Sequence, residues 1–478
     1  MYSAEISVAF FRSCSHIPND HSFTIAGMLR MAIVSFVISD FFPFHTYFAA
    51  AGGRKSGCDT TPCLPGKGKQ HRHPLKSPHP TQTLTKQIRG LSYIWLTRFQ
   101  LQLQYNYQTA DYLLCYQTTM QQIKNIVAIL ITLSLFHPAN GQTIASFADS
   151  VRKQYHIPEL GYAVLSSGEI LDINISGVKK INSSLTADIN DQFRIGSNTK
   201  AITGFIAAQL VHDKKINWDT KLFDLFPELK AKSRHAYHHL TLLNLLTFRS
   251  RLFPYTYTYS KPSQDEFSGD EAQQRYQFAR WFFRHKPVKG KDSIHFSNLG
   301  YIAAGLMLEK ASGKSYQELV ADLGQQLGIH FGFGAPNTQD TLQPWGHDNN
   351  LIPEPPGNNY KLNWLLAAGN IHVSLPDYAK FIQLQLKGLS GRSGLLTKEE
   401  FNFLHFGLTT FSVGWFWNTD RNNQTYSYNI GNPGTFLSKV FVYKDLDRAF
   451  ILFANAQTAD TDAGLDVLYL ELKRKYSK

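Results

Sequence analysis

The sequence predicts an α/β fold in which one antiparallel sheet is built from both ends of the mature chain, flanked by helices, with a mostly helical subdomain inserted between. Three observations predict it. Short apolar strands occur early, at residues 161–165 and 170–175, and again late, at 411–417, 436–443 and 449–455. The stretch between them is dominated by helical apolar spacing. Near the start of that stretch, Ser197 and Lys200 stand three residues apart where a helix opens. No internal repeat is visible.

The chain begins with a segment of different character. Of a net charge of +12, half lies before Met120, where eleven Lys/Arg face five Asp/Glu. The rest of the excess is spread thinly, without a basic block of the kind that binds phosphate backbones, which excludes nucleic acid as a partner. All four cysteines (Cys14, Cys58, Cys63 and Cys115) lie in this first segment, and residues 52–80 carry Pro, Gly, His, Lys and Arg with no apolar period. Cys58 and Cys63 near His71 and His73 fit no zinc spacing, and His238 and His239 have no ligand-spaced companions, so no metal and no cofactor is expected. From Met120 the chain reads as a secretory signal: Lys124, an apolar run from 126 to 136, and Ala139-Asn140-Gly141 as the small-residue cleavage site. That run is well short of the roughly twenty residues that span a bilayer. The expected organisation is therefore a disordered or misassigned extension over 1–119, a signal peptide over 120–141, and one catalytic-type domain over 142–478. Such a domain would be cysteine-free and periplasmic or secreted, with no stable membrane span after cleavage.

The elements follow in order. Residues 144–155 form a first helix. The strands 161–165 and 170–175 form a hairpin around Ser166-Ser167-Gly168. Ile202, Phe205, Ile206 and Leu210 recur at helical spacing behind Ser197, which predicts an amphipathic helix with Ser197 and Lys200 on one face. A further helix opens over 240–246, followed by a polar, aromatic-rich loop over 255–269. Residues 298–312 form a helix stopped by Gly313. Residues 374–386 form another, with Asp377 in its first turn. The last two strands turn on Lys444–Asp447, and residues 462–476 close the chain with Leu465, Leu468, Tyr469 and Leu472 on one face.

A serine hydroxyl is a poor nucleophile until a base removes its proton. A lysine within hydrogen-bond reach is that base once desolvation lowers its pKa by about three units from its usual value near 10.4. A serine at a helix start also aims a backbone N–H at any oxyanion formed there.

Beyond this pair, the stretch from about 147 to 457 resembles the serine β-lactamase-like and penicillin-binding-protein family, which includes class C β-lactamases, D-alanyl-D-alanine carboxypeptidases and esterase relatives. The resemblance is carried by Phe193-Arg194-Ile195-Gly196-Ser197-Asn198-Thr199-Lys200, by the stretch 212–223, and by Phe296-Ser297-Asn298-Leu299-Gly300-Tyr301 running into 308–315. It continues through Ala367-Ala368-Gly369-Asn370 with 374–381, and through Val413-Gly414-Trp415. It implies an acyl-serine hydrolase of amides or esters, without a cofactor, taking a small-molecule or peptide substrate: Ser197 as nucleophile, Lys200 as base, Asn298 orienting substrate, and the N–H groups of Ser197 and Asn432 forming an oxyanion hole. Three departures qualify it. The motif tyrosine is replaced by Phe296, which neither donates nor accepts a proton. The third motif reads Asn429-Ile430-Gly431, with an amide where the family carries a cation. A loop that normally turns on glycine reads Phe248-Arg249-Ser250-Arg251-Leu252. Tyr255, Tyr257 and Tyr259 are alternative sources of the missing hydroxyl. The alternative function is a non-catalytic relative that binds peptidoglycan-type or peptide ligands in the same cleft.

Overall fold

The computed structural model describes residues 143–290, 294–357 and 359–477. The expected upstream extension with its cysteines and the expected export signal lie outside the described residues.

The main sheet takes strands from both ends of the domain. It runs in the order β2-β1-β9-β8-β7-β6 and is antiparallel throughout: β1 is Glu159–Leu165, β2 Ile170–Gly177, β6 Phe416–Thr419, β7 Thr425–Gly431, β8 Leu437–Tyr443 and β9 Arg448–Ala454. The first and last strand groups join where β1 pairs with β9, from Leu160 opposite Ala454 to Leu165 opposite Ala449. Every residue of β1 is buried, because both faces of the sheet are covered. Helix α1 (Ile144–Gln154) and the closing helix, Ala459–Tyr476, cover one face. There Tyr162, Val164, Leu437 and Phe450 meet Ala148, Leu465, Leu468 and Leu472. On the other face Ala163, Val440, Ile451 and Phe453 join the larger core shared with the helical layer.

That layer contains α2 (Thr199–His212), α3 (Glu271–Phe282), α4 (Asn298–Ser312), α5 (Tyr316–Leu327), α6 (Leu375–Leu389) and α7 (Lys398–Phe406), so the closing helix is α8. The helix predicted for 298–312 ends as expected: Gly313 adopts φ +72, the left-handed cap that glycine adopts without strain. Ser374 caps α6 by accepting the Asp377 amide at 3.3 Å.

The structure departs from the sequence reading in four places. Helix α2 is not amphipathic: every residue from Thr199 to Ala208 is buried, because it runs between the sheet and the other helices. Helices α3, α5 and α7 were not predicted. A second antiparallel sheet, β3-β5-β4 (Gln192–Arg194, Ile371–Ser374, Phe331–Phe333), uses strands of three or four residues, too short for an alternation to show. In the expected strand at 411–417, only Phe416 and Trp417 are extended within β6, because positive φ values at Thr410 and Gly414 bend the chain.

Candidate active site

The nucleophile turn is built from the sheet outward. Strand β3 ends at Arg194, and Gly196–Asn198 forms a single 3₁₀ turn that leads directly into α2. Ser197 lies in that turn and Lys200 in the first helical turn, with Lys200 Nζ 3.0 Å from Ser197 Oγ. Lys200 is 1 % exposed, whereas Ser197 remains partly accessible. Burial alone pushes the Lys200 pKa down to about 7, into the range where a lysine serves as a base near neutrality. One Nζ–H is donated to Ala368 O at 2.7 Å, which fixes the amine beside the hydroxyl.

Backbone contacts lock the turn to the third motif. A Cβ on Gly196 (φ +48) would lie 2.7 Å from Asn432 N, and one on Gly431 would lie 1.8 Å from Ile195 O. Only glycine permits that approach, and it brings the Asn432 amide alongside the nucleophile turn. Asn198 Nδ2 donates to Ser438 Oγ at 2.8 Å, and Ser438 Oγ donates to Ile195 O at 2.9 Å, tying the turn to β8. A Cβ on Gly414 would lie 2.7 Å from Lys200 O, so the Val413-Gly414-Trp415 segment packs on the backbone of the same helical turn.

Asn429 is 2 % exposed and directed inward. Its Nδ2 donates to Gly414 O at 2.8 Å and Ser197 O at 3.3 Å, and its Oδ1 accepts from Ile430 N at 2.9 Å. Where the sequence suggested a substrate-facing amide, the structure gives it two backbone carbonyls to hold. Asn298 donates from Nδ2 to Tyr255 O at 2.9 Å, and its Oδ1 is buried with no partner among the described residues.

Phe296 is 37 % exposed. Its ring centroid is 5.7 Å from Lys200 Nζ, and it packs on Phe248 at 4.7 Å, which packs in turn on Phe411 at 4.3 Å. The neighbouring Ser297 hydroxyl does not take over the tyrosine's place, because it donates to Phe253 O at 2.7 Å and caps α4. Of the loop tyrosines, Tyr255 is buried against Phe278 and Tyr259, and Tyr257 rests with its ring 2.8 Å from where a Gly434 Cβ would sit. Tyr301 lies beside Lys200, with its ring centroid 5.4 Å from Nζ, but its hydroxyl donates to Leu246 O. Among the described residues none of these hydroxyls bonds to Ser197 or Lys200. Arg251 adopts a left-handed φ, +56. Its guanidinium holds Val288 O at 2.8 and 3.0 Å.

The sequence reading identified the side chains and missed the groups that hold them. Ala368 O has no signature, being a backbone carbonyl. Ser438 is one serine on a buried strand. Asn198 lies inside the quoted motif, yet nothing in its residue type announces a bond to β8.

This architecture is that of the serine β-lactamases and penicillin-binding proteins. A D-alanine carboxypeptidase AmpC from Burkholderia cenocepacia superposes with a TM-score of 0.55 at 16 % identity, covering 69 % of this chain and 97 % of that one. The octameric penicillin-binding protein homologue from Pyrococcus abyssi gives 0.57 at 18 %, covering 69 % and 76 %. The Beta-lactamase family model matches residues 142–473, and the chain belongs to that family. In sequence it is 20 % identical over 313 residues to Protein flp of Staphylococcus aureus (strain MW2), covering 62 % of this chain and 60 % of that protein, so it spans less than two thirds of that relative. It is 24 % identical over 188 residues to Penicillin-binding protein 4 of Amycolatopsis lactamdurans, covering 38 % and 46 %.

Proposed function

We propose that the chain is an exported serine hydrolase that cleaves an amide or ester through an acyl-serine intermediate. The single observation that carries this reading is a buried, desolvated amine 3.0 Å from a partly accessible hydroxyl at a helix start. Neutral Lys200 accepts the Ser197 proton as Oγ attacks the substrate carbonyl carbon. The oxyanion is stabilised by the N–H groups of Ser197 and Asn432. The leaving group departs as its bond to the carbonyl carbon breaks, taking the proton from Nζ. Water then attacks the acyl carbon and gives a proton to Nζ. The Oγ–carbon bond breaks, Ser197 recovers its proton, and a carboxylic acid is released.

Phe296 weakens this cycle, since Lys200 alone must pass the proton that a tyrosine would share. Export rests on the signal-like run at 120–141. No described helix is long and apolar enough to cross a membrane.

Phe296 and the inward-turned Asn429 favour a second reading, a ligand-binding relative without turnover. A fluorophosphonate probe separates the two. Labelling of the purified protein that disappears in Ser197→Ala supports the hydrolase. Folded protein that resists labelling supports the binder.

A further inference from the structure

Among the described residues, the polar groups of the loops near Ser197 have a common property: their side-chain donors are turned to backbone carbonyls or to a carboxylate of the protein itself. Asn429 occupies the position where a cation would meet a substrate carboxylate, and both its N–H groups are already held by Gly414 O and Ser197 O. Arg249 donates to Thr247 O, Phe411 O and Thr409 O, each at 3.0 Å. Arg251 is bound to Val288 O, and Arg194 is buried against Glu354 at 3.4 Å. Against this stands the one large apolar surface beside the amine, the exposed ring of Phe296, supported from beneath by Phe248 and Phe411.

We propose that the site takes an uncharged ester whose apolar acyl group lies on Phe296, and that it rejects substrates carrying a carboxylate at the end of that acyl group. The proposal rests on the acyl-serine reading above and specifies its substrate class. Two physical effects oppose a carboxylate there. It would be desolvated against a hydrocarbon ring, and the Asn429 amide that stands in the cation's position has both its N–H groups committed to backbone carbonyls. It would also lie close enough to Lys200 to favour the ammonium and so remove the base that the chemistry needs. An ester suits the loss of the tyrosine as well, because an alkoxide or phenoxide needs less help to depart than an amide nitrogen does.

The step itself is the one already written, with an ester C–O bond broken, an alcohol released after acylation and a carboxylic acid after hydrolysis. The test compares p-nitrophenyl butyrate with the p-nitrophenyl half-ester of glutaric acid, which differs chiefly by a terminal carboxylate. The butyrate is expected to give a kcat/KM at least about tenfold higher. In Phe296→Arg, whose folding is checked by circular dichroism, that ratio is expected to fall several-fold as a cation replaces the ring. A half-ester that equals or exceeds the butyrate in the unaltered protein overturns the proposal, and so does a ratio unmoved by Phe296→Arg. Fluorophosphonate labelling of Ser197 distinguishes the two levels of failure. Labelled protein that hydrolyses neither ester overturns the substrate assignment alone, whereas unlabelled, folded protein overturns the acyl-serine reading and this proposal with it.

Discussion

Two walls of different construction meet at Ser197 and Lys200. One carries Ser197, Lys200, Ala368 and Asn432, and it is held by backbone: Gly196 against Asn432, Gly431 against Ile195, Gly414 against Lys200. The other carries Phe296, Asn298 and the loop from Phe248 to Leu252, and it is held largely by side chains packed ring on ring. The backbone-held wall keeps the Ser-x-x-Lys pair and the glycines of the family's pattern. The side-chain wall is where a tyrosine has become Phe296 and a glycine has become Arg251. A contact made by backbone admits only glycine, so on the first wall the glycines are kept and the altered residue is Asn429, whereas on the second wall rings of similar shape exchange with little loss of packing.

Breaking the first wall has the larger effect. Gly431→Ala would put a Cβ 1.8 Å from Ile195 O and push the Asn432 amide away from the nucleophile turn. Loss of one oxyanion donor costs about 10²- to 10³-fold in kcat, and the fluorophosphonate labelling rate of folded variant protein should fall by a similar factor. A useful control is Gly313→Ala. Gly313 has a positive φ, +72, but a Cβ there, unlike one on Gly431, meets nothing within 4 Å. It should cost about 1 kcal/mol in thermal denaturation and leave the labelling rate unchanged. An unaffected rate in Gly431→Ala would show that this wall does not set the oxyanion geometry.

Restoring the second wall should have a smaller effect. Phe296→Tyr replaces a ring whose centroid is 5.7 Å from Nζ with one that carries a hydroxyl. Steady-state hydrolysis of p-nitrophenyl butyrate should rise by about tenfold, short of the roughly 10²- to 10⁴-fold that a fully positioned general acid–base group supplies. No gain would mean that Lys200 already moves every proton without assistance.

The same contrast explains what could be read before the structure was known. The hairpin of β1 and β2, the turn at Lys444–Asp447 and the helix stopped by Gly313 are local features, encoded by alternation and turn residues, and the sequence located them to within a few residues. That one antiparallel sheet is built from both ends was inferred from the strands there and the helices between them, and the structure makes the join at β1 and β9. Helix α2 was read as amphipathic because Ile202, Phe205, Ile206 and Leu210 recur at helical spacing. Its first ten residues are buried by neighbours that arrive from more than a hundred residues away, Ala367 and Tyr316 among them. At the site, residue types pointed to Ser197, Lys200 and Asn432. The inward turn of Asn429 was not legible, because an amide faces substrate or backbone with equal chemical ease and only the approach of Gly414 decides which.

Everything catalytic in this account depends on Lys200 being neutral while it is buried. Its pKa can be measured directly by ¹³C NMR of the lysine ε-carbons, with the Lys200 resonance assigned by its absence in Lys200→Met. The account predicts a midpoint near 7, with kcat/KM rising through the same pH as the amine loses its proton. A midpoint near 10, the value of a lysine in water, would mean that the amine is charged at neutral pH and cannot serve as the base.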